Sequence, residues 1–174
     1  MHARVPGSIT LRSLFLTERL DYAQLAPDAF KKYLDFALSL KKGPLEVSLV
    51  DLLTLRASQL NGCAFCLDMH VKQAVLHGER PLRLHHVAIW RESPLFSPRE
   101  RAALAWTEQL TQLPAHGVTD ADYAAVRAHF SEAELAALSF AIVAINGWNR
   151  LAIGFAVVPG SQDKAYGLDQ SGLS

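Results

Sequence analysis

Residues 55–70 read LRASQLNGCAFCLDMH and contain both cysteines of the chain, as a Cys-x-x-Cys motif with a histidine four residues after the second. The Asn-Gly pair at 61–62 tolerates the left-handed conformation that ends helices, so one helix is predicted to stop there and another to start near Cys63. On that helix Cys63, Cys66 and His70 stand at i, i+3 and i+7, which places them on one face. The stretch therefore predicts a site of two thiols and an imidazole at a helix N-terminus.

This arrangement suits redox chemistry of a dithiol. The free N–H groups and the dipole at a helix N-terminus stabilise a thiolate, which is the reactive form of cysteine, and Cys63 lies nearest that end. His70 stands at i+4 from Cys66, where it can take the thiol proton or pair with the thiolate. Once one sulfur is oxidised, the other is close enough to resolve it as a disulfide.

An acidic residue on the preceding helix is a candidate partner for the histidine. If residues 45–61 and 63–77 form a helical hairpin, Asp51 lies about ten residues before the turn and His70 about eight after it. At a rise of about 1.5 Å per residue, both lie roughly 12–15 Å from the turn and could face each other. Asp51 is therefore predicted to hold one nitrogen of His70 while the other serves Cys66, directly or through a water.

These residues resemble the AhpD-like alkylhydroperoxidases of the carboxymuconolactone decarboxylase superfamily. In that family an acidic residue precedes Asn-Gly-Cys by about ten residues, and x-x-Cys-x-x-x-His follows; here the places are filled by Asp51, Asn61-Gly62-Cys63, Cys66 and His70. The similarity continues through IWRESP (89–94), ERAALAW (100–106) and INGWNRLA (145–152) and covers roughly residues 20–159. Two positions depart from the family: Asp51 replaces the usual Glu, and Phe65 stands where some members have a second histidine.

The resemblance implies an all-α, AhpD-like bundle that reduces hydroperoxides. Cys66 would attack the peroxide, His70 would act as base, Asp51 would orient it, and Cys63 would resolve the sulfenic acid, although the helix dipole alone favours Cys63 as the more acidic thiol. An external donor, such as a lipoyl dithiol or a thioredoxin-like protein, would reduce the disulfide, and no other cofactor or metal is expected. The resemblance also implies a homotrimer or a homohexamer.

Composition limits the other classes of function. The chain has 174 residues, half of them apolar, and a formal net charge of zero, which predicts one domain and argues against binding to nucleic acid or a membrane surface. Two cysteines three apart cannot form a secreted disulfide framework, and the short apolar run at 13–16 is too short for a signal peptide. The apolar run at 135–145 also falls short of a membrane span. A cytoplasmic protein is expected.

The pattern along the chain predicts about six to seven helices and no strands. Predicted helices begin near residue 27 and then cover about 45–61, 63–77, 82–91, 98–113, 120–129 and 132–157, with Ser97, Thr119 and Ser131 as N-caps. The organisation expected is an N-terminal arm at 1–19, one domain at 20–159, and a flexible tail at 160–174 that lacks an apolar face.

Several alternatives remain open. The first is a lactone decarboxylase of the same superfamily, which works by acid/base chemistry and does not need a cysteine pair. The second is a redox sensor or adaptor without turnover. The two cysteines could also be structural, whereas a zinc site is disfavoured because structural zinc needs four ligands. The other histidines near helix ends or loops are expected at the surface: His77, His85, His86, His116 and His129.

Overall fold

The computed structural model describes residues 17–173, which contain nine α-helices, two short 3₁₀-helices and no strand. The α-helices are α1 (Tyr22–Leu25), α2 (Pro27–Leu40), α3 (Val47–Asn61), α4 (Ala64–Leu76), α5 (Pro81–His86), α6 (Pro98–Thr111), α7 (Asp120–Arg127), α8 (Glu132–Phe155) and α9 (Asp163–Tyr166). The 3₁₀-helices are Val87–Ile89 and Leu168–Ser171. The all-α prediction is confirmed, and α2 to α8 correspond to the seven helices expected from the sequence.

Short-range hydrogen bonds set the start of three helices. The hydroxyls of Ser97, Thr119 and Ser131 each accept the backbone N–H three residues on, and the acidic side chain at that position accepts the N–H of the capping residue. Each such capping box satisfies two backbone donors that would otherwise lack a partner in the first turn. The helix starts predicted at these three residues are therefore confirmed.

Helix α3 lies at the centre and packs against α4, α6 and α8. The largest fully buried side chains of these elements are leucines and an isoleucine: Leu52, Leu53 and Leu55 in α3, Leu104 in α6, and Leu138 and Ile142 in α8. Each of them stabilises the fold by about 1.5–3 kcal/mol relative to an exposed position. This packing holds α4, which carries the cysteines, along one side of the central helix.

By length and composition α8 is apolar enough to cross a membrane, and it is the one such helix among residues 17–173. Its packing is that of a core helix, because Leu138, Ile142 and Asn149 are fully buried. Phe140 and Val143 project from the opposite face and are more than half exposed. Within residues 17–173, α8 is therefore packed as a core helix on one face and exposes apolar side chains on the other.

The prediction of a flexible tail after residue 159 is wrong for residues 160–173. This segment forms α9 and the second 3₁₀-helix, and Leu168 is buried with 2% of its surface exposed. Lys72 of α4 is itself 4% exposed and donates hydrogen bonds to Asp163 Oδ2 at 2.7 Å and Asp68 Oδ2 at 2.8 Å. The segment lacks an apolar face of its own and is held against α4 by the buried Leu168 and by the carboxylate of Asp163.

Residues 1–16 of the predicted N-terminal arm lie outside the described residues. In the described part of the arm, Arg19 binds the end of α8. Its backbone N–H donates to Phe155 O at 2.9 Å and its guanidinium donates to Gly154 O at 2.8 Å. Arginine near a helix C-terminus satisfies carbonyls that have no partner within the helix. Residues 19 and 160–173 therefore belong to the packed domain.

Candidate active site

The two cysteines lie at the junction between α3 and α4, as the sequence predicts. Gly62 ends α3 in the left-handed conformation with φ of +68°, and Cys63 is the N-cap of α4. The Cys63 sulfur accepts the backbone N–H of Cys66 at 3.3 Å, and a disulfide joins the two residues. The structure therefore describes the oxidised form of the pair, with the N-cap sulfur placed where a backbone donor would stabilise a thiolate.

The disulfide is shielded from solvent. Cys63 is 2% exposed and Cys66 1% exposed, and both belong to the larger apolar cluster of the core. Neighbours in that cluster come from several helices: Leu49, Leu53 and Ala57 of α3, Trp106 of α6, and Ile142 and Ile145 of α8. A reactant therefore reaches either sulfur only if it is small or if the packing opens locally.

Buried amides fix the loop that precedes Cys63. Asn61 Nδ2 donates to Asn146 Oδ1 at 2.9 Å and to Asn149 Oδ1 at 2.8 Å, both on α8. Asn149 in turn donates to the Ser58 hydroxyl at 3.1 Å. Because buried amides are stable only when paired, this network ties the end of α3 to the core and fixes the start of α4.

His70 lies one turn along α4 from Cys66, and its ring makes one hydrogen bond among the described residues. Nδ1 is 2.9 Å from Gln73 Oε1, whereas Nε2 is buried and has no hydrogen-bond partner. Burial lowers the pKa of His70 to about 4; the bond to Gln73 opposes this, and the charge of Lys41 adds to it. The imidazole is therefore neutral at pH 7 and can act as a base.

The predicted contact between Asp51 and His70 is wrong. Asp51 Oδ2 instead accepts a hydrogen bond from Nδ1 of His77, at 2.7 Å. Helical side chains lean toward the N-terminus of their own helix, so in this antiparallel hairpin Asp51 leans away from the turn and His70 toward it. His77, the C-cap of α4, lies farther from the turn and leans back toward Asp51.

Asp51 occupies a different electrostatic environment from that of a solvated acid. It is 5% exposed, and burial raises its pKa, while the hydrogen bond and charge of His77 and the charge of Lys41 act in the opposite direction. The side chain of His77 is 44% exposed, so the prediction of a surface imidazole holds for its position but missed its partner. The pair connects a buried carboxylate to the surface.

The structure places three of the predicted residues, Cys63, Cys66 and His70, on or at the start of α4, and adds Gln73, which sequence reasoning missed. The sequence does indicate this contact, because positions i and i+3 of a helix are neighbours and Gln73 is at i+3 from His70. No group of three or more His, Cys, Asp or Glu residues is placed to hold a metal ion within residues 17–173. The chemistry available from the described side chains is that of a dithiol with a neutral imidazole one turn away.

The fold and site are those of the AhpD-like class of proteins, which are all-helical and carry Cys-x-x-Cys at the start of a central helix with a histidine one turn later. The sequence profile of the carboxymuconolactone decarboxylase family matches residues 27–109, and the chain belongs to this family. The AhpD-like resemblance seen in the sequence is thereby confirmed.

Relatives of this chain extend over most of its length. The uncharacterized protein YdfG of Bacillus subtilis (strain 168) is 36% identical over 138 residues, which are 79% of this chain and 94% of that protein. The structure of ATU0492, a protein of unknown function from Agrobacterium tumefaciens, is similar at 39% identity with a TM-score of 0.79, over 82% of this chain and 98% of that one.

A more distant structure shares the fold. It is an uncharacterized peroxidase-related protein from Ralstonia eutropha JMP134, described as an alkylhydroperoxidase AhpD core. It matches with a TM-score of 0.71 and 22% identity, over 80% of this chain and 75% of that one. At this identity the similarity establishes the AhpD-like fold alone.

Proposed function

We propose that the protein reduces hydroperoxides with the Cys63/Cys66 dithiol and uses His70 as the base. The observation that carries this proposal is the disulfide at the N-terminus of α4, with the free Nε2 of a neutral imidazole one turn away. A thiol near a base and a second thiol within bonding distance are the parts that such a reaction needs.

The proposed reaction balances within the pair. The Cys66 thiol gives its proton to His70, and the thiolate attacks the outer peroxide oxygen; the O–O bond breaks, and the alkoxide takes a proton and leaves as an alcohol. The Cys66 sulfenic acid is then attacked by the Cys63 thiolate, which forms the S–S bond and releases water. The two thiols supply both electrons, and an external dithiol, either a lipoyl group or a thioredoxin-like protein, returns them.

The choice of Cys66 as the attacking sulfur rests on its position relative to His70. The two residues are at i and i+4 on α4, the spacing at which helical side chains meet. Cys63, whose sulfur accepts the Cys66 N–H, is placed to be stabilised as the resolving thiolate. Asp51 is not assigned the role of orienting His70, because it is bonded to His77.

The assembly proposed is a homotrimer or a homohexamer in the reducing cytoplasm. Exposed apolar residues on neighbouring helices support association, namely Leu38 of α2 and Phe140 and Val143 of α8, each 47–56% exposed. Apolar faces of this kind are common where subunits meet. A light-scattering mass equal to one chain would exclude the oligomer.

The first experiment is to measure the intact mass of fully reduced protein after a short pulse of near-equimolar alkyl hydroperoxide. Rapid loss of two hydrogens is expected in the wild type, and none in Cys63→Ser or Cys66→Ser. If Cys66 attacks, Cys63→Ser accumulates a sulfenic acid and Cys66→Ser remains unmodified on the same timescale.

Other outcomes separate the alternative functions. Oxidation no faster than that of a free-thiol control would exclude the peroxidase function and would make the acid/base decarboxylase the preferred alternative. That enzyme would retain its activity in the double variant without thiols. Rapid stoichiometric oxidation without turnover in the presence of a dithiol and a thioredoxin-like donor would indicate a redox sensor.

A further inference from the structure

Gln73 makes the hydrogen bond that the His70 ring forms among the described residues. It lies at i+3 from His70 on α4, and its Oε1 is 2.9 Å from Nδ1 of the ring. The other ring nitrogen, Nε2, is buried and has no hydrogen-bond partner. Asp51, the acidic residue expected to orient the ring, is bonded to His77 instead.

We infer that Gln73 is a positioning residue that selects the tautomer of His70 in which Nε2 carries the free lone pair. A carboxamide oxygen can only accept a hydrogen bond, so Nδ1 must carry the hydrogen. In a neutral imidazole the other nitrogen is then unprotonated. The inference rests on the proposed function, because it assigns Gln73 the task of presenting Nε2 as the base for the thiol.

A neutral acceptor has a different consequence from a carboxylate at the same place. A carboxylate on Nδ1 favours the imidazolium form, whereas an amide orients the ring with a weaker effect on its charge. Burial lowers the pKa of His70, and the hydrogen bond to Gln73 opposes that lowering. Gln73 thus orients the ring, while burial keeps it uncharged with Nε2 free to accept a proton.

Two variants separate orientation from packing. Gln73→Glu keeps the length of the side chain and an acceptor for Nδ1–H, whereas Gln73→Leu has a similar volume and no acceptor. In Gln73→Leu neither ring nitrogen has a hydrogen-bond partner among the described residues, so the preference for hydrogen on Nδ1 is expected to be lost. Circular dichroism and urea unfolding establish that each variant is folded.

The direct readout is the tautomer, measured by ¹H–¹⁵N NMR on oxidised protein labelled in the histidine rings. The chain has seven histidines, and the His70 signals are those absent from His70→Asn. The wild type and Gln73→Glu are expected to show hydrogen on Nδ1 and a bare Nε2, and Gln73→Leu to lose this pattern. A wild type with hydrogen on Nε2, or an unchanged pattern in Gln73→Leu, would overturn the inference.

The second readout is the rate of oxidation of the reduced protein by an alkyl hydroperoxide between pH 5 and 9. Gln73→Leu is expected to be slower by about tenfold or more, since a positioned base typically contributes 10²–10⁴-fold. Gln73→Glu is expected to retain the rate at high pH, with its acid limb moved to higher pH. A residue that only packs would change stability while the tautomer and the pH profile stay as in the wild type.

The two readouts distinguish failure of the inference from failure of the proposed function. If the wild type does not react with hydroperoxide but Gln73→Leu changes the tautomer, the peroxidase proposal fails and the positioning of His70 by Gln73 stands. If the wild type reacts and Gln73→Leu keeps both the tautomer and the rate, the peroxidase proposal stands and the role of Gln73 is excluded.

Discussion

Nδ1 of His77 donates a 2.7 Å hydrogen bond to Oδ2 of Asp51 and thereby joins the C-terminal end of α4 to α3. The bond engages the carboxylate at the end of the hairpin remote from the disulfide. His70 is left with Gln73 as its hydrogen-bond partner among the described residues. Of these two polar pairs, the one that includes His70 lies one turn from Cys66, and the one that includes Asp51 lies farther along the hairpin.

The raised pKa of Asp51 predicts a specific dependence of stability on pH. The folded state holds the proton of this carboxyl to higher pH than the unfolded chain does, so ionisation favours unfolding. The contribution of Asp51 to the free energy of unfolding is therefore fully present below its ordinary pKa of 3.8 and is lost as pH rises through the raised native value. The Asp51→Asn variant, which cannot ionise, should lack this decline.

Urea unfolding of the wild type and Asp51→Asn at a series of pH values from 3.5 to 8 tests the prediction. The free energy of unfolding of the variant should rise relative to that of the wild type as pH increases through the titration of Asp51. Groups that titrate elsewhere are common to both proteins and cancel in the difference. A difference that stays constant over the whole range would contradict the burial effect.

His70 predicts a pH dependence of the opposite sign. Its pKa falls from 6.5 to about 4 on folding, so between these values the unfolded chain binds a proton that the folded state does not. Stability should therefore fall as pH drops through this window, by roughly 3 kcal/mol at 1.36 kcal/mol per pKa unit. His70→Asn should lack this component, so its free energy of unfolding should change less between pH 7 and 4.

The parallel variant His129→Asn serves as a control for His70→Asn. It removes an exposed histidine near the end of α7, and its stability should follow the wild type across the same pH range. The idea of a neutral, buried His70 would be wrong if His70→Asn and His129→Asn gave the same pH dependence.

Local features of the sequence were sufficient to predict most of the fold. The Asn-Gly stop, the capping boxes at Ser97 and Ser131, and the helical spacing of the two cysteines and His70 all depend on residues within about one turn of one another. The pairs that were missed depend on distant parts of the chain. Asp51 meets His77 because of side-chain direction in a hairpin, and Lys72 meets Asp163 across 91 positions.

The ion pair between Lys72 and Asp163 predicts that one carboxylate stabilises the C-terminal segment. Asp163→Asn leaves the buried ammonium with Asp68 as its charged partner among residues 17–173, so a loss of about 1–3 kcal/mol in the free energy of unfolding is expected. The backbone N–H of Gly160, which donates to Asp68, should also exchange faster with deuterium.

An exposed ion pair provides the matched control for this prediction. Lys31 and Asp35 are 2.6 Å apart on α2, with side chains 74% and 58% exposed. Asp35→Asn should change stability by less than about 0.5 kcal/mol and leave the exchange of Gly160 unaffected. Equal effects of Asp163→Asn and Asp35→Asn would show that the buried lysine does not hold the segment.

The close approach of Tyr33 to Gly147 predicts that Gly147→Ala destabilises the protein, although alanine is usually the better helix former. A Cβ at this position would lie 1.9 Å from the hydroxyl oxygen of Tyr33 and 2.7 Å from its Cζ. The hydroxyl donates to Ala144 O at 2.8 Å, so the ring cannot move away without loss of that bond. Gly147→Ala should therefore lower the free energy of unfolding by about 1–3 kcal/mol, as measured in urea.

Two comparisons identify the clash as the cause. A Cβ at Gly154, on the same helix, meets nothing within 4 Å, so Gly154→Ala should be neutral or stabilising by up to about 1 kcal/mol. In a Tyr33→Ala background the ring is absent, and Gly147→Ala should then resemble Gly154→Ala. If Gly147→Ala costs as much without the ring as with it, the contact between α2 and α8 at Tyr33 is not what requires glycine there.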